Sequence, residues 1–157
     1  MNNFLRFARV FALGTWLGGI IFFSFVVAPA AFGTLVSRDR AGSLVSVALG
    51  RLHLLGIIAG IIFLLATIVL EKSPGALLRP AALAVFAMVI LTVISQQGVT
   101  PRMQALRNAM GSVAATGADD VRRVEFGRLH GVSVGLEGGV LLLGLGALYA
   151  SCRRKAD

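Results

Sequence analysis

Four stretches of this chain are apolar for long enough to cross a bilayer, and that constrains its fold more than any motif it carries. A membrane-spanning helix needs about 20 mainly apolar residues. Phe4 to Val27, Leu52 to Leu70, Pro80 to Val99 and Leu129 to Ala150 each meet that length. Within them, Ile57 to Leu70 and Leu83 to Ile94 run without the alternation of apolar and polar residues that a barrel strand requires. The reading is therefore an all-α integral membrane protein, an up-down four-helix bundle, with residues 1–157 forming one domain. A composition of 57% hydrophobic and 14% charged residues and a mean hydropathy of +0.86 agree with it.

The net charge of +8 would suggest nucleic acid in a soluble protein. Here the basic residues flank apolar runs, with no basic stripe interleaved with aromatics, so anionic lipid is the expected partner and nucleic acid is not. An even number of spans places both termini on one side with Arg6, Arg9, Lys72, Arg79, Arg153, Arg154 and Lys155. The other side holds Arg38, Arg40, Arg51, Arg102, Arg107, Arg122, Arg123 and Arg128. Setting aside Arg51 and Arg128, which belong to a repeated motif, the tally is seven against six. This favours termini in the cytoplasm of a cell whose inner membrane holds the chain, as in bacteria.

The N-terminal run is too long for a removable signal, and Trp16 and a glycine motif lie within it, so it reads as a retained helix that Pro29 helps to terminate. The single Cys152 permits no intrachain disulfide and reads as an interfacial residue or a lipidation site. Between the last two spans, Thr100 to Arg128 reads as a short helix with Arg102, Leu106 and Met110 on one face. A turn follows at Gly111 to Gly117, then Asp119 or Asp120 as cap of a last helix that begins outside the membrane. Gly33 to Leu49 reads as its shorter polar counterpart between the first two spans.

The chain also repeats itself. Gly-Arg-Leu-His stands at Gly50 to His53 and at Gly127 to His130, and these are its two histidines. Pro29 and Pro101 fall at matching ends of the first and third spans, so the chain reads as two helix-pair halves offset by 77 residues at the histidines and 72 at the prolines.

Parallel, diagonal second and fourth helices would bring both imidazoles to one level. Facing each other, His53 and His130 could supply both axial ligands of a b-type haem, with Arg51 and Arg128 holding its propionates, for electron transfer or haem handling. Each histidine could instead simply anchor its helix at the interface.

Glu137 lies seven residues beyond His130, hence about 10 Å deeper on the same helical face. A carboxylate there should point inward. It could serve as a proton relay, as a third metal ligand beside His53 and His130, or as a structural hydrogen-bond partner of Thr92 or Ser95. Gln96 and Gln97 end the third span near the histidine level. A metal-ion or small-molecule pathway lined by His53, His130 and Glu137 is therefore the chief alternative to haem. Soft-metal conduction is poorly supported, since Met88 is the one clearly intramembrane methionine. No catalytic set such as HExxH, a P-loop or a Ser/His/Asp arrangement stands out, which points away from an enzyme.

Glycines at Gly14 and Gly18, Gly56 and Gly60, and Gly131, Gly135 and Gly139 put small residues on one face of their helices. They suit tight packing, a homodimer or a larger membrane complex in which the chain is an accessory subunit. Beside the histidines they could also form thin walls for a flat cofactor.

Trp16, Gly18, Gly19, the run Phe22 to Phe32, Ala41-Gly42, Pro101 with Leu106, and Phe126-Gly-Arg-Leu-His130-Gly-x-Ser133 resemble the four-helix membrane family that includes the eukaryotic transmembrane protein associated with cisplatin resistance. The resemblance covers nearly the whole chain. That family is similar in architecture to copper-resistance-D-like and haem-binding protoporphyrinogen-oxidase-like four-helix proteins, which implies haem or metal handling by analogy. The family pattern often carries an aromatic residue at the counterpart of His53 and Asn at that of Glu137.

Overall fold

The computed structural model describes residues 2–152; the side chain of Cys152 and Arg153, Arg154 and Lys155, which entered the readings above, lie outside the described residues. The described chain is helical with no strand. It contains α1 (Asn2–Phe22), α2 (Ala28–Thr34), α3 (Arg38–Glu71), α4 (Pro80–Ile94), α5 (Thr100–Met110) and α6 (Val121–Cys152). A π-turn at Phe23–Val27 fuses α1 to α2, and another at Ser95–Val99 fuses α4 to α5. The result is four rods long and apolar enough to span a membrane, Asn2–Thr34, Arg38–Glu71, Pro80–Met110 and Val121–Ser151. The chain is an integral membrane four-helix bundle.

Pro29 does not end the first helix. A proline inside an α-helix lacks one N–H and presses its ring on the carbonyl four residues back. Widening the preceding turn relieves that clash: the N–H of Ala28 donates to the carbonyl of Phe23, five residues earlier, and the rod continues to Thr34. The same device precedes Pro101, where the N–H of Thr100 donates to the carbonyl of Ser95. The two π-turns are offset by 72 residues, as the prolines are, so the sequence repeat is also a repeat of backbone geometry.

Most of the polar segment Gly33 to Leu49 is the start of α3. Ser37 caps α3, its hydroxyl accepting from the N–H of Arg40, and helix continues to Glu71, where Lys72 turns left-handed at φ 50°. At 1.5 Å per residue the four rods are roughly 46–51 Å long, well beyond a ~30 Å hydrocarbon layer. The surplus on the side away from the termini forms a helical cap. There Asp39 accepts from the Ser112 hydroxyl at 2.6 Å and from the Val113 N–H at 3.0 Å, tying the α5–α6 turn to the start of α3. The guanidinium of Arg107 lies 5.6 Å from the ring centre of Phe126. As expected, Asp120 caps α6, accepting from the Arg122 N–H at 2.8 Å.

Around the bundle α1 packs on α3 and α6, and α4 packs on the same two, so α3 and α6 are diagonal. Trp16, Leu13, Leu17 and Ile20 of α1 meet Phe63 of α3, Val85 and Met88 of α4, and Val140 of α6 in the buried core. The Trp16 indole lies against Gly56 and Gly60. A Cβ at Gly56 would fall 2.2 Å from Trp16 Nε1, and one at Gly60 would fall 2.5 Å from Val89 Cγ2. The flat ring those glycines accommodate is thus a side chain of this protein. Gly144 performs the same service for Leu17, which a Cβ there would meet at 2.3 Å. By contrast Gly14, Gly18, Gly131 and Gly135 have nothing within 4 Å of a built Cβ.

A buried polar cluster as the candidate functional site

An imidazole within the hydrocarbon layer must find hydrogen-bond partners on neighbouring helices, because lipid supplies none. His53, 2% exposed, finds one on each ring nitrogen. Its Nδ1 lies 2.9 Å from Gln96 Oε1, and its Nε2 lies 3.1 Å from Glu137 Oε2. Gln96 reaches it from the second π-turn, and Glu137 from the diagonal helix α6. At 1.5 Å per residue the cluster sits about 21–27 Å from the end of the bundle that holds Glu71, Pro80 and Ser151. A ~30 Å hydrocarbon layer beginning at that end would contain it in its far third.

The protonation chemistry follows from which atoms donate. With Gln96 Oε1 as acceptor, Nδ1 carries a proton. The contact to Glu137 is then either Nε2–H donating to a carboxylate or a protonated carboxyl donating to bare Nε2. Both forms are neutral overall and differ by one proton moved across one hydrogen bond. Losing that proton leaves a net charge of −1 in a medium of low dielectric, which a proton or a small cation would relieve. Ser95, in the same π-turn as Gln96, adds a buried hydroxyl with no hydrogen-bond partner among the described residues.

The structure does not bring the two histidines together. His130 is exposed and lines a separate cavity of about 80 Å³ on the far side, with Ser46, Thr100, Gln104 and Arg107. Arg51 and Arg128 are exposed as well. The residues do not fit the expected bis-histidine haem: both nitrogens of His53 are engaged by protein groups, its partner imidazole is elsewhere, and Trp16 occupies the glycine groove. Nor, among the described residues, do three His, Cys, Asp or Glu side chains gather as a metal site. The expected site thus reduces to His53 and Glu137, at one level where sequence spacing separated them by two turns. Thr92 does not bond Glu137 but donates to its own helix at the Met88 carbonyl, 2.9 Å away.

Gln96 was legible as a residue near the histidine level, whereas its contact with His53 depends on the π-turn that rotates it. The signal for that turn was Pro101, five residues on, inside a pattern that does not stop being helical. Ser46, Thr100 and Gln104 were not legible, because their placement beside His130 needs the helical cap.

No curated protein and no solved structure matches this chain. A family model does, over residues 11–112, the stretch from α1 to the start of the α5–α6 turn that carries His53 and Gln96 but not Glu137. The chain belongs to that family, described as a domain of unknown function, DUF4149.

Proposed function

We propose that this integral membrane protein handles a small cation in exchange for a proton, with His53 and Glu137 sharing the exchangeable proton and Gln96 holding the imidazole in place. The observation that carries the reading is the pairing of a fully buried imidazole with a carboxylate across the bundle diagonal. Ionisable groups at that depth are costly and are functional candidates by default. Glu137 is 15% exposed, so the pair is not sealed on the Glu137 side. In this reading the polar cavity beside His130, about 10 Å further along α6, serves as the approach from the far side. The more distant resemblance to copper-resistance-D-like membrane proteins supports haem or metal handling by analogy, and the flanking charges support termini in the cytoplasm. Haem handling is the weaker reading, since the two imidazoles do not share a space.

Proteoliposomes loaded with a pH-sensitive dye test the proposal. A gradient of Na⁺, K⁺ or Mn²⁺ should drive a pH change with the native protein and not with Glu137→Gln, which keeps the shape and removes the titratable group. Cation-independent dye signals with both proteins would sink it.

One observation favours a second reading. Gly14 and Gly18 present an exposed small-residue face with none of the described residues against it, as an accessory subunit needs for close approach to a partner helix. Under that reading, bulky residues at Gly14 and Gly18 disrupt a larger assembly while Glu137→Gln has no effect.

A further inference from the structure

At the opposite end of the bundle from the histidine cluster, α1, α3, α4 and α6 line a half-open cavity of about 630 Å³. Its polar wall is Arg9, Thr67, Glu71, Arg79, Tyr149 and Ser151. The two hydroxyl groups of Thr67 and Ser151 give their hydrogens to carbonyls of their own helices, those of Phe63 and Ala147, each 2.8 Å away. Neither of these two hydroxyls is left to donate into the space, whose charged donors are Arg9 and Arg79.

Those arginines are not equally compensated. Arg79 pairs with the carboxylate of Glu71. Arg9 pairs with no carboxylate among the described residues: its guanidinium carbon lies 5.8 Å from the ring centre of Phe63, and its Nε is buried without a hydrogen-bond partner among them. A guanidinium presents five N–H donors in a planar fork, and a π face satisfies none of them as an acceptor oxygen would. Arg9, Arg79 and Glu71 together leave one uncompensated positive charge beside a space large enough for an organic ligand.

The cavity also spans two environments. Phe63 and Ala82 wall its inner part, while Arg79 and Tyr149 are exposed at the helix ends where headgroups lie. That combination suits an anion of several acceptor oxygens attached to something apolar, and the fork of Arg9 matches a phosphate. We infer that this cavity binds a phosphate anion, carried either by an anionic phospholipid headgroup or by a free phosphate, with Arg9 as its principal ligand and Arg79 as the second. The site is remote from His53 and Glu137, so it stands or falls independently of the proton-exchange proposal.

Thermal unfolding of the intact purified protein, followed in two arms, tests it. In one arm inorganic phosphate is titrated into protein in neutral detergent at constant ionic strength. In the other, phosphatidylglycerol is raised stepwise in phosphatidylcholine nanodiscs. A saturable rise in Tm is expected. Saturation with phosphatidylglycerol alone assigns a lipid headgroup, saturation with inorganic phosphate alone assigns a soluble anion, and saturation in both assigns the phosphate group itself. Arg9→Gln should weaken the apparent affinity about tenfold, while Arg102→Gln, exposed at the other end, should leave it unchanged. No saturable shift in either arm, or an unaltered affinity in Arg9→Gln, overturns the inference. Should Arg9→Gln fail to fold, Arg79→Gln takes its place with the same expectation, and unaltered affinity there overturns the inference equally.

Discussion

Nε2 of His53 on α3 lies 3.1 Å from Oε2 of Glu137 on α6, joining two helices that are diagonal in the bundle. The backbones of diagonal helices stand apart, so this contact depends on long polar side chains reaching into the space between them. Glu137→Ala should leave the Nε2 side of a buried imidazole without a partner and destabilise the fold by about 1–3 kcal/mol. Glu137→Gln keeps an acceptor oxygen at the same reach and should cost clearly less. Unfolding in detergent distinguishes the two variants, and equal losses would mean that packing volume rather than hydrogen bonding matters at this position.

Gly56 and Gly14 offer a matched comparison. Both are helical glycines in a small-xxx-small pattern, yet only a Cβ at Gly56 would collide, at 2.2 Å from the Trp16 indole nitrogen. Gly56→Ala should therefore cost about 1–3 kcal/mol through displacement of the ring and should change the Trp16 fluorescence maximum. Gly14→Ala should leave both stability and fluorescence at their native values, since nothing stands within 4 Å.

Asp39 gathers the α5–α6 turn by accepting from Ser112 Oγ, Val113 N–H and Ala114 N–H. Replacing it by Ala removes all three acceptor contacts at once. The turn from Ser112 to Gly117 should then be cut by a soluble protease several times faster than in the native protein, with the transmembrane part left intact. An unchanged cleavage rate would mean that the turn is held by other contacts.

The cap of α6 carries a pH dependence of defined sign. Hydrogen bonds from Arg122 hold the Asp120 carboxyl down to about 2 from an ordinary 3.8. A carboxyl depressed in the folded state contributes stability that is complete above its unfolded value and is lost as pH falls through its folded value. Amide-exchange protection at Arg122 should accordingly hold at pH 4 and decline between about 3.8 and 2. Asp120→Asn should flatten that decline.

Apolar length alone determined that this chain crosses a membrane four times. Lipid offers the backbone no hydrogen bonds, so a continuous apolar run of that length has no option but helix. The diagonal placement of the second and fourth helices followed from the up-down order, and the cap at Asp120 from local side-chain chemistry. Local rules failed at Pro29, because a neighbouring turn can widen to accept a proline and let the helix continue. At Gly33 to Leu49 they marked a short polar segment without showing that most of it is continuous with the second spanning helix. The partner of His53 was decided only by tertiary structure. The duplicated Gly-Arg-Leu-His motif implied equal depth for the two histidines, but depth depends on the axial slide of one helix along another. That slide is set by interlocking shapes, the Trp16 ring against Gly56 and Gly60 and Leu17 against Gly144, together with the rotation that the π-turn imposes on Gln96. No spacing within a single helix encodes it, and the result brings Glu137, two turns beyond His130, to the level of His53.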